Sequence, residues 1–309
     1  MIPSEQVQLL LRLSGLTQEA LSRRLSVSFP ALNAWARSRS VPRPAARRRI
    51  AKLLAEFGVS EESVSAVASM KGALQRRATS DRNIVKRILT QPDVRDEFVL
   101  ALTYHSDVIE GSTLTKGETA AVLFENAVLK NRTLREQMET KNHQAAIECL
   151  WGHVRPSRAI SESFILRLHA ILMNGIQSDA GSYRNHGVRI VGTNVPTANP
   201  VSISRLMEKL VSDLNRPTDD ALGVAARTHA RFEQIHPFMD GNGRVGRLLL
   251  SAMLLRANLA PAVIEQRRKR EYLKLLNRAQ LFDENEPFER FVAEAVLVGY
   301  AIVNRKRGA

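Results

Sequence analysis

The 309 residues contain one cysteine, Cys149, so no disulfide can form within the chain and a reducing cytoplasm fits it. Cys149 itself reads as a small buried hydrophobe on a helix. No apolar run reaches the roughly 18 residues of a membrane-crossing helix, so no membrane partner is expected. Residues 1–15 have no basic stretch ahead of an apolar block, and no signal peptide is expected. Internal repeats and low-complexity tracts are missing, and strand patterning is confined to one short run. What remains is an ordinary globular composition, 44% apolar, long enough for about two domains.

Acidic residues are scarce at one end. Residues 1–53 carry ten Lys/Arg against only Glu5 and Glu19, which is over half of the chain's net charge of +14. A basic block of this kind usually faces phosphate backbones. Leu9, Leu10 and Leu13 form a helical stripe closed by Gly15. Thr17 then caps a second helix carrying Ala20, Leu21 and Leu25. The turn Ser26-Val27-Ser28 leads into a third helix through Trp35, with Pro30 in its first turn. Pro42 and Pro44 end the following loop, and 45–57 reads as a fourth helix.

Residues 58–90 are more polar and less regular, and read as a linker with one short helix. Beyond them, helical periodicity runs over 93–110, 116–127, 133–153, 161–175, 201–214, 221–235, 244–257, 268–281 and 286–303. The strand-like run is 188–192, after Gly181-Ser182-Tyr183-Arg184.

The chemistry concentrates in one stretch, His236-Pro237-Phe238-Met239-Asp240-Gly241-Asn242-Gly243-Arg244-Val245-Gly246-Arg247. Two glycines let backbone N–H groups approach an anion, and the helix that follows points its positive end at the same place. Arg244 and Arg247 are three apart, on one helix face, and are placed to clamp one polyphosphate. Asp240 is a hard oxygen ligand suited to Mg²⁺ shared with phosphates. His236 is a proton acceptor near neutral pH. The stretch is a composite phosphate site.

It resembles the signature of the Fic family, His-x-Phe-x-(Asp/Glu)-Gly-Asn-Gly-Arg-x-x-Arg, at every fixed position. The resemblance spans roughly residues 90–300 and implies an all-α fold with a small β-hairpin flap at 188–194. It implies a nucleotidyltransferase that moves AMP from ATP to a Ser, Thr or Tyr hydroxyl of a target protein. His236 would be the base, Asp240 the Mg²⁺ ligand, and Gly241, Asn242, Gly243, Arg244 and Arg247 the ATP phosphate site. Tyr272 and Gln280 fall in the adenine-pocket region, and the flap would pair with an extended target segment. Ser106-Asp107-Val108-Ile109-Glu110-Gly111 matches the family's inhibitory motif, on a helix of about 96–111. Glu110 would there form a bidentate pair with Arg247. Some relatives use another nucleotide or remove AMP, and both alternatives stay open.

Residues 5–57 are similar to helix-turn-helix domains of the Xre/Cro repressor type. The resemblance implies duplex DNA as a partner, read by Ser28, Phe29, Asn33 and Arg37 with Gln18 on a phosphate. An alternative is a transcription regulator whose Fic domain senses nucleotide or modifies itself. The domain plan is thus 1–57, a linker 58–90, and 91–303, with a homodimer compatible with either role.

Overall fold

The computed structural model describes residues 3–14, 16–56, 61–81, 83–154, 158–190 and 192–304. Regular structure among them is helical throughout. Two compact units emerge, Met1–Met70 and Lys71–Ala309.

The first unit is built from α1 (Pro3–Ser14), α2 (Gln18–Arg24), α3 (Phe29–Ala36) and α4 (Pro44–Glu56). Short polar residues start two of these helices, as anticipated. The Thr17 hydroxyl accepts from the Ala20 N–H at 3.2 Å, and Ser28 does the same for Ala31 at 3.4 Å. Pro30 sits in the first turn of α3. Their apolar faces meet in a core of Val7, Leu10, Leu21, Leu25, Leu32, Trp35, Ile50 and Leu53. Gly15 and Phe57 lie outside the described residues, as do the side chains of Leu9 and Leu13.

The segment read as a linker is mostly helix: α5 (Glu61–Ser80) and α6 (Ile84–Leu89). Its apolar residues are interrupted by serines, Gly72 and charged side chains, which hid the periodicity. Leu74 and Ala78 are buried on α5, and Ile84 and Ile88 on α6. Asn258 joins the two helices. Its Nδ2 donates to Ala78 O at 2.6 Å and its Oδ1 accepts from Ile84 N at 2.8 Å.

The second unit continues through α7 (Pro92–Glu110), α8 (Lys116–Phe124), α9 (Leu134–His153), α10 (Glu162–Leu172), α11 (Ile203–Leu214), α12 (Ala221–Ile235), α13 (Asn242–Arg256), α14 (Lys269–Phe282) and α15 (Asn285–Val303). Capping boxes start α8 and α9, at Thr115/Glu118 and Thr133/Glu136. Helix α13 is the axis of this unit. It packs on α12, α10, α9 and α7 and buries nearly every residue from Asn242 to Leu255, as a helix surrounded on all sides must.

The strand pairing read at 188–194 is a correction: the described residues there form an extended loop without a ladder, and Val191 lies outside them. The chemistry of the returning limb explains this. Pro196 has no N–H to donate, and Val188 O accepts instead from the Thr197 hydroxyl at 2.7 Å. Cys149 is half-buried.

Candidate active site

Helix α12 ends on His236, which holds φ 52° and ψ 61°, a left-handed conformation unusual for a side chain with Cβ. Such a residue costs on the order of 1–3 kcal/mol and persists only where its surroundings hold it. Arg184 supplies the hold. Its Nε donates to His236 O at 2.7 Å, Nη1 to His186 O at 2.7 Å and Nη2 to Ala198 O at 2.6 Å. One buried guanidinium thus ties His186 and Ala198 to the His236 turn.

The next turn is closed by Asn242. Its Oδ1 accepts from Phe238 N and its Nδ2 donates to Phe238 O, both at 2.9 Å. Below the turn, His169 stacks on the Phe238 ring at 3.7 Å between centroids. Gly181 N donates to His169 Nδ1 at 2.9 Å, so Nε2 carries the proton that reaches Asp240 O at 3.2 Å. Gly241 then takes φ 78° as the residue before α13. A Cβ there would press on the Met173 sulfur. No side chain caps α13, so the N–H groups of its first turn face outward as an anion cradle.

Three side chains around this cradle were foreseen. Arg247, only 8% exposed, points at the end of α7. Its Nη2 donates to Glu110 Oε1 at 2.6 Å and to Ser106 O at 3.2 Å, and its Nε to Ser106 Oγ at 2.9 Å. Ser106, Glu110 and Arg247 are therefore brought together, but the pair is not bidentate: Ser106 takes half of the guanidinium fork. Gly111 ends α7 at φ 112°. The Glu110 carboxylate lies so close over Gly243 that a Cβ there would overlap it. An anion already rests on the N-terminus of α13.

Arg244 does not join Arg247 in one clamp. It is buried and turns the other way, with Nη1 3.3 Å from Glu139 Oε1 and Nη2 3.7 Å from Asp240 Oδ1. The Asn242 side chain is likewise spent on the turn, which leaves only its backbone N–H for an anion. Tyr272 offers a base no surface, and the amide nitrogen of the half-buried Gln280 is already engaged. Tyr272 is 1% exposed, packed on Phe288 and Phe291 with its hydroxyl 2.7 Å from His229 Nε2. The Gln280 amide donates to Ala230 O at 3.1 Å. Arg184, His169 and Glu139 escaped the sequence reading. Only Arg184 had a signal, its place after Gly181 in an otherwise uninterpreted motif.

The electrostatics favour a neutral His236. Its Nδ1 lies 3.2 Å from Glu233 O, an acceptor only. Nδ1 therefore carries the proton, and Nε2 keeps its lone pair. Burial lowers the pKa of the ring below its ordinary value, more than the Glu233 carbonyl raises it. Two buried carboxyls sit around the cradle. Burial pushes Asp107 up to about 7 and Glu233 up to about 8, against the pull of nearby arginines. Asp107 Oδ1 and Glu233 Oε1 have no hydrogen-bond partner.

Comparison with known proteins follows this geometry. Residues 159–254 match the family model described as Fic/DOC. The chain is 31% identical over 198 residues to the protein adenylyltransferase Fic of Drosophila grimshawi, covering 62% of this chain and 40% of that protein. It thus spans about two fifths of the length of the curated relatives it matches. A solved Fic family protein from Desulfovibrio desulfuricans superposes with a TM-score of 0.64 at 27% identity, over 78% of this chain and 73% of that one. Fic-1 from C. elegans superposes with a TM-score of 0.68 at 24% identity, over 92% of this chain and 84% of that one, a likeness of fold.

The two raised carboxyls give a stability prediction. Unfolded, such groups titrate near 4, so between about pH 4 and 8 the folded chain holds more protons than the unfolded one. Stability is then fully present below pH 4 for these groups and is lost as pH rises through 7 and 8. Below about pH 7 the buried histidines, held below their ordinary value, add stability as pH rises and oppose this trend. Tm should therefore fall between about pH 7.5 and 9 in calorimetry, and the pair Asp107→Asn with Glu233→Gln should flatten that slope. A wild-type Tm that rises over this window refutes the assignment.

Proposed function

We propose, from the match of residues 159–254 to the Fic/DOC family model, that the chain is a protein adenylyltransferase, moving AMP from ATP to a Ser, Thr or Tyr hydroxyl of a target protein and restrained by Glu110. The observation that carries this reading is the Glu110 carboxylate, seated over Gly243 and bonded to Arg247. It occupies, with an anion, a cradle built for one.

In this mechanism the ATP phosphates lie along the first turn of α13, over the N–H groups of Asn242, Gly243 and Arg244. Arg247 faces the γ-phosphate end once Glu110 withdraws. The acceptor hydroxyl gives its proton to His236 Nε2 as its oxygen attacks the α-phosphorus in line. The bond from that phosphorus to the β-bridging oxygen breaks, and pyrophosphate leaves. Backbone dipoles fixed by the Asn242 turn stabilise the charge that develops. Asp240 suits Mg²⁺. It is one half-exposed carboxylate, and no cluster of three His, Cys, Asp or Glu gathers among the described residues. A single hard oxygen fits an ion that takes its remaining ligands from phosphates and water. Bound there, the ion would neutralise the phosphates. The loop 185–199, fastened by Arg184, is the place for an extended target segment.

A second reading concerns residues 1–57 as a DNA-binding unit. Arg37, Arg39, Arg43 and Arg48 are exposed and stand in no ion pair among the described residues. Ser28 is occupied as the cap of α3. Asn33 Nδ2 donates to Gln18 Oε1 at 2.9 Å, which leaves the Gln18 amide hydrogens for a phosphate. Base reading then falls to Phe29 and Arg37 at the two ends of α3.

His236→Ala should cut transfer from labelled ATP by about two decades or more while ATP binding persists. The wild-type rate should hold to below pH 6.5 before its acid limb begins, since the base form of a lowered His survives to lower pH. Near wild-type labelling by the alanine variant refutes the base.

Glu110→Gly should raise transfer by up to about 100-fold, the gain if the restrained form outweighs the open one by about 99 to 1. Mass spectrometry of modified protein reads this. An unchanged rate in a folded variant reduces Glu110 to a helix end.

The 1–57 reading is checked with the full chain on duplex DNA. Affinity should drop steeply with salt, and Arg37→Ala should weaken a preferred site more than Lys52→Ala. Binding indifferent to salt, or none to any duplex, counts against it.

A further inference from the structure

Arg135 lies in the first turn of α9, where a cation is disfavoured by the helix dipole, so the helix itself gives no reason for arginine. Its contacts do. Nη2 is 3.0 Å from Asp240 Oδ2, and Nε is 3.1 Å from Glu139 Oε1. Arg244 touches the same two carboxylates from the other side. Two arginines and two carboxylates thus alternate in a closed ring. Within it the two oxygens of Asp240 are not equivalent. Oδ1 is held by Gly241 N at 2.6 Å and lies on the Arg244 side. Oδ2 meets only Arg135.

The members also differ in freedom. The Arg244 side chain is 4% exposed and cannot leave, whereas that of Arg135 is 56% exposed. Arg135 Nη2 lies 3.0 Å from Oδ2, so a divalent ion bound to that oxygen would stand about 4–5 Å from the guanidinium, where like charges repel and the arginine competes for the same carboxylate charge. Glu139 would keep Arg135 beside the site after it moves.

We propose that Arg135 is the counter-ion that a divalent cation must displace from Asp240, so that this residue sets the cation level at which the phosphate site loads. This rests on the reading of Asp240 as the metal ligand. Arg135 touches neither phosphate nor acceptor, and acts through Asp240 as a positioning residue.

The test uses the full chain, a non-hydrolysable ATP analogue and Mn²⁺, with free Mn²⁺ read by electron paramagnetic resonance. Arg135→Gln should bind Mn²⁺ more tightly than wild type by about two- to five-fold, the range for releasing an exposed ion pair. The gap should narrow as salt is raised, because exposed charges are screened. Arg135→Lys should stay near wild type, and analogue affinity in EDTA should not change. A loss of structure would weaken binding, so tightening separates competition from damage. If Arg135→Gln binds Mn²⁺ no more tightly, while Asp240→Asn still loses the ion, the competition is refuted and Asp240 stands. If Asp240→Asn binds Mn²⁺ like wild type, both assignments fall. Weaker analogue binding by Arg135→Gln in EDTA makes Arg135 a phosphate ligand and also overturns the proposal.

Discussion

A guanidinium in the middle of a helical domain has to be given acceptors, and Arg247 is given a charged one by the last turn of α7. Breaking a buried ion pair by removing one partner costs about 3–5 kcal/mol. The Glu110 side chain is 38% exposed, so its share is well below that range. Ser106 makes up the difference with its hydroxyl and its carbonyl, both fixed on α7. Arg247 is therefore satisfied mainly by a group that does not move and partly by one that does. This division makes Glu110 replaceable by another anion without leaving Arg247 bare.

The same economy appears where backbone is strained. His236 sits in the left-handed region just before a proline, a position that the following ring restricts further. Its carbonyl is the anchor point of Arg184, and its Nδ1 is turned back onto the end of α12. Both constraints act on parts of the residue that take no part in the proposed proton transfer, so that Nε2 is fixed in direction by groups it does not touch. Asn242 does for the anion cradle what Arg184 does for His236. It spends a polar side chain on the backbone so that the N–H groups beyond it stay available. Polar residues of this motif that look like ligands in the sequence are partly scaffolding.

That distinction marks where the sequence could be read and where it could not. The helices of 92–303 were legible from apolar spacing, because most bury a continuous stripe and α13 buries nearly its whole circumference. Helix α5 was not, since its serines, Gly72 and the charged residues around Arg76 and Arg77 break up the apolar pattern and mimic a loop. The pairing of Glu110 with Arg247 was legible because both motifs are short and their residue types complementary. The sharing of that arginine with Ser106 was not, because a serine at this spacing looks like any helical serine. Arg244 and Arg247 were read as one clamp from their spacing of three. Yet i and i+3 fix only where Cβ atoms point. Glu139 and Glu110 on two different helices decided where the guanidiniums went. Tyr272 failed for a related reason: an aromatic beside a basic run fits a purine pocket in sequence, and only packing shows that Phe288 and Phe291 enclose it.

The arginines beside the cradle, apart from Arg184 with its carbonyl partners, are thus matched to carboxylates, in a site whose proposed substrate carries several negative charges. Arg247 has Glu110, while Arg244 and Arg135 share Glu139 and Asp240. Free positive charge at this density would repel itself in a partly desolvated space and destabilise the fold before any ligand arrived. Internal carboxylates solve that problem and create another, since each must yield for a phosphate or cation to enter. The exposed members, Glu110 and Arg135, are the ones able to yield, whereas Arg244 is buried and Glu139 is largely covered. On this view restraint by α7 is one instance of a general condition. A phosphate cradle lined with arginines holds its own anions until a better one displaces them.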